Sequence, residues 1–165
     1  MAVNSILPCQ GMSKCWIHYL TMKEKNREYF ILHAEDNQDD SLLTELALKQ
    51  LGLNVQLRKI VNGKKTIDFL KESLNAGEKL PDLILLDINL PLMNGFEVLN
   101  EIKVEEKLSS IPIVFFTSSD SSAEMKYAYE NGADLYIRKP NNLNGFKRAM
   151  LQAVQLIKDN DLMMS

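Results

Sequence analysis

The sequence predicts a doubly wound α/β fold, in which five parallel strands alternate with five helices. Short runs of consecutive apolar residues, typical of strands buried on both faces, occur at residues 29–34, 83–86 and 111–116. Between these runs, apolar residues recur at helical spacing, and glycine or proline marks most of the junctions. Strands and helices that alternate in this way form a parallel sheet with helices on both faces.

The predicted strands are short and apolar, and polar residues follow most of them directly. The second strand differs, because Leu53, Val55 and Leu57 alternate with polar residues as in a half-buried strand. In chain order, the strands lie at residues 29–34, 53–57, 83–86, 111–116 and 135–137. One common order for such a sheet is 2-1-3-4-5, which places the first and third strands side by side and ligands beyond their carboxyl ends.

Each predicted helix has apolar residues three or four positions apart, which form the face that packs on the sheet. Asp39 or Asp40 can cap the first helix, and Gly52 can end it. The apolar positions are Leu42, Leu43, Leu46, Ala47 and Leu51, then Ile67, Leu70 and Leu74, then Phe96, Leu99 and Ile102, then Met125, Ala128 and Tyr129, and finally Leu143, Phe146, Met150, Ala153 and Ile157.

The chain of 165 residues has the length of one domain, and its 45% of hydrophobic residues suffice for a buried core. The formal net charge of −3 argues against a protein whose main role is to bind nucleic acid. We assign the domain to residues 28–158, and interpret residues 1–27 as an irregular leader and residues 159–165 as a tail. Met22 offers a second translation start, and on that hypothesis residues 1–21 are not native.

The leader predicts neither a disulfide scaffold nor a targeting signal. Cys9 and Cys15 are the only cysteines, too few for a disulfide framework or a zinc site. The apolar stretch at 6–20 is interrupted by Pro8 and Gly11, and it is too short to span a bilayer. We therefore expect a cytoplasmic protein without membrane attachment.

Polar residues converge at one edge of the predicted sheet. Glu35 and Asp36 follow the first strand, while Asp87, Thr117 and Lys139 end or follow the third, fourth and fifth. Three crowded carboxylates repel one another unless a cation is present, and ligand sets of oxygen alone suit Mg²⁺. A nearby hydroxyl and ammonium suit a phosphoryl dianion. The cluster therefore predicts a phosphoryl site in which a carboxylate is itself the acceptor.

At these positions the sequence resembles the response-regulator receiver domains of two-component signalling. The matching segments, in the family's order, are Glu35-Asp36-Asn37, Leu86-Asp87-Ile88-Asn89-Leu90-Pro91, Met93-Asn94-Gly95, Phe116-Thr117-Ser118 and Arg138-Lys139-Pro140. Within the family, the chain is most similar to the stand-alone regulators paired with cyanobacterial phytochromes, through its Glu-Asp-Asn-x-x-Asp opening and the long stretch at 105–110. The resemblance implies a flavodoxin-like (βα)5 fold with strand order 2-1-3-4-5.

The resemblance also implies a phosphoryl acceptor and a metal site. Asp87 accepts the phosphoryl group. Asp36 and Asp87 ligate Mg²⁺ or Mn²⁺ together with the backbone carbonyl of Asn89, and Glu35 acts through a bound water. On this basis the domain is no enzyme in the usual sense, but a regulatory domain that assists its own phosphorylation and dephosphorylation.

Three further residues are implied to respond to the phosphoryl group. Thr117 hydrogen-bonds a phosphoryl oxygen, and Lys139 pairs with the group from a cis peptide bond to Pro140. Tyr136 occupies the position of the family's switch aromatic and rotates inward as Thr117 moves. The competing interpretation of Tyr136 is a half-buried strand residue with its hydroxyl in water.

The sequence departs from the commoner family pattern at three places. His33-Ala34 precede the acidic pair where aliphatic residues are usual, and we interpret His33 as a strand residue satisfied by a neighbour. Asp39-Asp40 double an acid that we expect to cap the first helix. Asn94 replaces the acid that many relatives carry before Gly95, and it keeps a turn-forming residue there.

The resemblance implies a phosphorylation-dependent switch. A sensor histidine kinase or phosphotransfer protein is the expected donor, and a downstream protein is the expected target. Relatives often form homodimers through the face of the fourth predicted helix, the fifth strand and the fifth predicted helix. No helix-turn-helix or basic stripe follows residue 158, so direct binding of nucleic acid is not expected.

Three alternatives stay open at this point. Within the same class, the chain can be an intermediate in a multistep phosphorelay. An aspartate-nucleophile phosphatase shares a nucleophilic Asp, but it needs a second acid two residues later, where this chain has Asn89. A flavin-binding carrier of the same fold is disfavoured by the acidic loop at 35–39, which repels a flavin phosphate.

Overall fold

Five parallel strands form a single sheet in the computed structural model, which describes residues 27–164 and the side chains of residues 27–161. The strands are β1 (Tyr29–Ala34), β2 (Val55–Ile60), β3 (Leu83–Leu86), β4 (Ile113–Thr117) and β5 (Leu135–Arg138). Their order in the sheet is β2-β1-β3-β4-β5, which confirms the prediction. Strands β1 and β3 therefore lie side by side, and β2 and β5 form the two edges.

Six helices lie between or after the strands within residues 27–164, one more than the five predicted. They are α1 (Gln38–Gln50), α2 (Gly63–Ala76), α3 (Gly95–Val104), α4 (Glu106–Ser109), α5 (Ser122–Glu130) and α6 (Leu143–Met164). The additional helix, α4, is a single turn that buries Leu108, too short to give a repeating apolar pattern. Helix α6 continues past residue 158, because no glycine or proline interrupts it there.

Two apolar layers cover the two faces of the sheet. One layer packs the sheet residues Leu32, Leu86 and Phe115 against α2, α3 and α5. The other packs Ile31 and Phe116 against α1 and α6. Because both faces are covered, the central strands are fully buried, which explains their uninterrupted apolar sequences.

The chain is anchored at the opposite end of the sheet from the polar cluster. Arg27 precedes β1, forms ion pairs with Asp82 and with Asp161 of α6, and lies over the ring of Tyr29. The rest of the predicted leader, with Cys9 and Cys15, lies outside the described residues. Within residues 27–164, no helix combines the length and the apolar composition needed to cross a lipid bilayer.

Candidate phosphoryl and metal site

Three carboxylates meet at the carboxyl edge of the sheet. Glu35, Asp36 and Asp87 each offer an oxygen atom, and these oxygen atoms lie within 4.8 Å of one another. Glu35 and Asp87 are buried, whereas Asp36 is exposed. The cluster therefore has a buried floor and an open side, and its oxygen ligands are those that Mg²⁺ or Mn²⁺ accepts.

Strand register brings the two buried carboxylates together. Ala34 of β1 pairs with Leu86 of β3, so the next residues, Glu35 and Asp87, lie side by side. The Asp87 N–H donates to the Ala34 carbonyl at 3.1 Å, and the Glu35 N–H donates to the Ile60 carbonyl at 2.9 Å. Both carboxylates are thus placed by the hydrogen bonds that continue the ladder of the sheet.

Asn37 fixes the turn between β1 and α1. Its N–H donates to the Glu35 carboxylate at 2.9 Å, and its side-chain oxygen accepts from the N–H groups of Asp39 and Asp40. The prediction that Asp39 or Asp40 caps α1 is therefore wrong. Asn37 lies one position before the helix, where an amide oxygen can reach the first free N–H groups.

Lys139 crosses from the edge of the sheet to the carboxylates at its centre. Its Nζ lies 2.5 Å from Glu35, 2.8 Å from Asp87 and 3.0 Å from Asp40. Only 5% of the Lys139 side chain is exposed, and 22% of the Asp40 side chain. The sequence placed Glu35, Asp87 and Lys139 at one edge of the sheet, but it did not place Asp40 there, because a helix-capping role accounts equally well for an acid in that position.

The cluster shifts the pKa of two of its members. Burial raises the pKa of the Glu35 carboxyl, and the neighbouring Lys139 opposes this shift without cancelling it. Burial by itself lowers the pKa of the Lys139 ammonium, but the contacts with Asp87 and Glu35 outweigh it and raise that pKa. Lys139 therefore remains a cation throughout the physiological pH range.

The peptide bond between Lys139 and Pro140 is trans, as is every peptide bond in the described part of the chain. The predicted cis bond is therefore wrong for this structure. The trans isomer is intrinsically favoured before proline by about 0.5–1 kcal/mol. Lys139 also reaches Asp87 from the trans bond, and its N–H donates to the Thr117 carbonyl at 2.7 Å.

Thr117 and Tyr136 lie on adjacent strands beside the cluster. Thr117 is fully buried, and its hydroxyl oxygen accepts from the Ser119 N–H at 3.3 Å. Tyr136 is 7% exposed, and its hydroxyl donates to the Ser119 carbonyl at 3.3 Å. Tyr136 therefore lies inward with its hydroxyl bound to protein, unlike the half-buried, solvated residue of the competing interpretation.

Ser119 thus connects the two predicted switch residues, a role that sequence analysis did not assign. Its own hydroxyl contacts the Glu124 carboxylate near the start of α5. No motif in the sequence marks this connection, since serine and glutamate are common at helix starts.

The loop after β3 is held close to Asp87 by a glycine. A β-carbon placed on Gly95 lies 2.3 Å from the Asp87 carbonyl oxygen, so only glycine fits without a shift of backbone. Asn94 caps α3 and forms a capping box with Glu97, as its turn-forming character suggested. The Asn89 N–H points towards the Asp87 carboxylate at 3.4 Å, while its side chain is exposed.

His33 lies in β1 on the same side of the sheet as Glu35, and it is 1% exposed. Neither ring nitrogen has a hydrogen-bond partner, so the expectation of a satisfying neighbour is wrong. The flanking residues on the neighbouring strands are Lys59 and Leu85, and neither offers the ring a hydrogen-bond partner. Burial, together with the charges of Lys139 and Lys59, lowers the pKa of His33 to about 3.

The comparisons with known proteins agree with this fold. The family model of the response regulator receiver domain matches residues 31–151. The chain belongs to this family. Its members receive a phosphoryl group on an aspartate, and the conserved fold of the family is the five-stranded parallel sheet described above.

Two relatives match this chain over most of their own length. The probable methanogenesis regulatory protein FilR2 of Methanothrix harundinacea is 35% identical over 127 residues, which cover 77% of this chain and 82% of that protein. The response regulator Rcp1 of Synechocystis is 34% identical over 133 residues, covering 80% of this chain and 90% of Rcp1.

Solved structures give the same picture. The Mn²⁺-bound form of Rcp1 superimposes with a TM-score of 0.66 over 73% of this chain and 88% of that one. The phosphorylated cyanobacterial phytochrome response regulator RcpA is 31% identical to this chain. It superimposes with a TM-score of 0.66 over 82% of this chain and 92% of RcpA. The predicted similarity to phytochrome-associated regulators is therefore confirmed.

Proposed function

We propose that Asp87 accepts a phosphoryl group from a sensor histidine kinase or phosphotransfer protein. The observation that carries this proposal is the placement of one buried carboxylate within 2.8 Å of a buried ammonium and beside two further acids. In the transfer, an Asp87 oxygen forms the new bond to phosphorus while the bond from phosphorus to the donor imidazole nitrogen breaks. The donor imidazole leaves with the electron pair and takes up a proton.

A divalent cation fits the donor set of this site. Glu35, Asp36 and Asp87 supply carboxylate oxygens, and the carbonyl of Asn89 is a further proposed ligand; Glu35 acts through a water. When bound, Mg²⁺ or Mn²⁺ neutralises negative charge on the transferring group. The Mn²⁺-bound form of the relative Rcp1 supports this proposal.

The remaining residues of the site bind the phosphoryl group on Asp87 or respond to its presence. Lys139 places a positive charge beside the position of the phosphoryl oxygens, and the buried hydroxyl of Thr117 is available as a hydrogen-bond donor. Tyr136 and Thr117 both hydrogen-bond to the backbone of Ser119. A movement of Thr117 therefore changes the surroundings of the Tyr136 hydroxyl. We therefore infer that phosphorylation alters the surface formed by α5, β5 and α6.

That surface suits contact with another protein. Tyr127 and Tyr129 of α5 are 42% and 45% exposed, and Met125 of the same helix is 38% exposed. A downstream protein or a second copy of the chain is the proposed partner, in the cytoplasm, with no direct contact to nucleic acid or membrane. An intermediate position in a phosphorelay uses the same site chemistry and differs only in the partner that removes the phosphoryl group.

The phosphatase alternative lacks its general acid. Asn89, two residues after Asp87, carries an amide that cannot give up a proton to a leaving group. The proposal is tested by incubation with acetyl phosphate and Mg²⁺, followed by intact-protein mass spectrometry. We expect Asp87→Asn to abolish labelling, and Asp120→Asn, which removes an exposed acid paired with Arg138, to retain it. Labelling of Asp87→Asn at the wild-type level refutes the assignment.

A further inference from the structure

Three carboxylates surround the Lys139 ammonium in this structure. Three carboxylate oxygens, from Glu35, Asp87 and Asp40, lie within 3.0 Å of its Nζ. The Asp87 contact is a hydrogen bond, and the contacts with Glu35 and Asp40 are ion pairs that surround the ammonium with negative charge. A phosphoryl oxygen therefore has to compete with these carboxylates for the Lys139 ammonium.

The three carboxylates differ in how readily they can leave. The Glu35 side chain is 1% exposed and the Asp87 side chain 8% exposed, whereas that of Asp40 is 22% exposed. A buried carboxylate that loses its cation is left without water, at a cost of several kcal/mol, while an exposed one is rehydrated. Asp40 also makes the longest of the three contacts.

Hydrogen bonds in the first turn of α1 hold the backbone of Asp40 in place. Its N–H donates to the Asn37 side chain at 3.2 Å, and its carbonyl accepts from the Thr44 hydroxyl at 2.9 Å. The side chain can therefore turn towards solvent without any movement of the helix. Asp87 behaves differently, since it carries the phosphoryl group under the proposed function and cannot move away from it.

We propose that Asp40 is a positioning residue that holds the Lys139 ammonium in the unphosphorylated protein and competes with the phosphoryl group for it. The inference rests on the proposed function of Asp87. In this role Asp40 lowers the affinity of the site for a phosphoryl group, because the two compete for the Lys139 ammonium. The neighbouring Asp39 has the same charge and lies in the same helical turn, but it makes no contact with Lys139 among the described ion pairs.

The test measures binding of beryllium fluoride, a phosphoryl analogue, by calorimetry at saturating Mg²⁺. We expect Asp40→Asn to bind the analogue about fivefold more tightly than the wild type, the size expected for a partly exposed charged contact. Asp39→Asn is the matched control and is expected to bind with wild-type affinity. Asp40→Glu retains a carboxylate and is expected to restore the wild-type value.

A second measurement follows Lys139 directly. The ¹⁵N resonance of its ammonium, recorded without phosphodonor, is expected to shift in Asp40→Asn and to stay in place in Asp39→Asn. This readout does not depend on tighter binding, and a purely structural effect on the helix start leaves it unchanged.

The outcomes separate the two proposals. If the wild type is labelled by acetyl phosphate but Asp40→Asn binds the analogue with unchanged or lower affinity, the role of Asp40 is refuted while that of Asp87 stands. An equal gain in Asp39→Asn also refutes it, because the effect then comes from net charge. If Asp87→Asn is labelled as well as the wild type, both proposals fall.

Discussion

The hydroxyl oxygen of Tyr129 accepts a hydrogen bond from the backbone N–H of Tyr136 at 3.0 Å. Tyr129 lies on α5 and Tyr136 on β5, one of the two edge strands of the sheet, so a side chain occupies a position where a further strand could pair. Unpaired edges are sites of unwanted strand addition. Tyr129 therefore protects the edge and ties α5 to the strand that carries the proposed switch residue.

Removal of that hydroxyl tests the connection. Tyr129→Phe is expected to lower the free energy of unfolding by about 0.5–1.5 kcal/mol, because it deletes one hydrogen bond and keeps the ring. Urea denaturation followed by circular dichroism measures the loss. Tyr127→Phe, which keeps the ring contact with Phe96, is the control and should change stability by less than about 0.5 kcal/mol. Equal losses in the two variants contradict the assigned role.

The buried His33 gives a prediction about pH. Its pKa is about 3 in the folded protein and near 6.5 when unfolded, so the unfolded state binds the proton first as the pH falls. This contribution to stability is fully present above the unfolded pKa and is lost progressively between about pH 6.5 and pH 3. The His33→Leu variant has no group that titrates at this position, so it lacks this pH-dependent loss of stability.

Urea denaturation near pH 7.5 and near pH 5.5 measures the difference. Between these conditions the wild type should lose about 1.4 kcal/mol more stability than His33→Leu. The surrounding carboxylates titrate in both proteins, so their contribution to the free energy of unfolding cancels to a first approximation when the two are compared. Parallel stability profiles for the two proteins over this interval contradict the prediction.

Gly95 lies against the backbone of the proposed phosphoryl acceptor. Gly95→Ala places a methyl group 2.3 Å from the Asp87 carbonyl oxygen, and the backbone must move to accept it. We expect a loss of about 1–3 kcal/mol in stability and slower labelling by acetyl phosphate. Gly52→Ala is the control, since it has open space but a φ of +65°, so it should cost stability without slowing labelling. Labelling that slows equally in both variants contradicts a local effect.

Asn94 gives a prediction about helix capping. Asn94→Ala removes an oxygen that accepts from the N–H groups of Phe96 and Glu97, and should cost about 1 kcal/mol. Asn94→Asp keeps the acceptor and adds a favourable charge at the helix start, so it should be neutral or slightly stabilising. Thermal unfolding of both variants measures this difference. A similar loss in the two shows that the asparagine acts in some other way.

Sequence patterns predicted the parts of the fold that depend on local chemistry. Uninterrupted apolar runs identified the central strands, and the polar residues directly after them identified Glu35, Asp36, Asp87 and Lys139 as neighbours. Both follow from the fact that parallel strands end at one edge of a sheet. The order of the strands followed from a common arrangement of such folds, and the structure has it.

Features that depend on distant contacts could not be predicted in this way. Asp40 meets Lys139 across almost a hundred positions of sequence, and an acid in a first helical turn has an adequate local explanation. The lack of any partner for His33 depends on the packing around it. Helix α4, a single turn, is too short to produce a periodic signal.

Lys139 follows the edge strand of the sheet yet contacts Asp87 at its centre. Phosphorylation of Asp87 at the centre of the sheet and partner binding at its β5 edge are therefore coupled, and the coupling acts in both directions. When bound, a partner that binds the β5 surface more tightly once Asp87 carries a phosphoryl group must raise the equilibrium constant for phosphorylation of Asp87 by the same factor. The abundance of the downstream protein then becomes an input to the switch, and the molecule that reads the signal also sets how much of it is present.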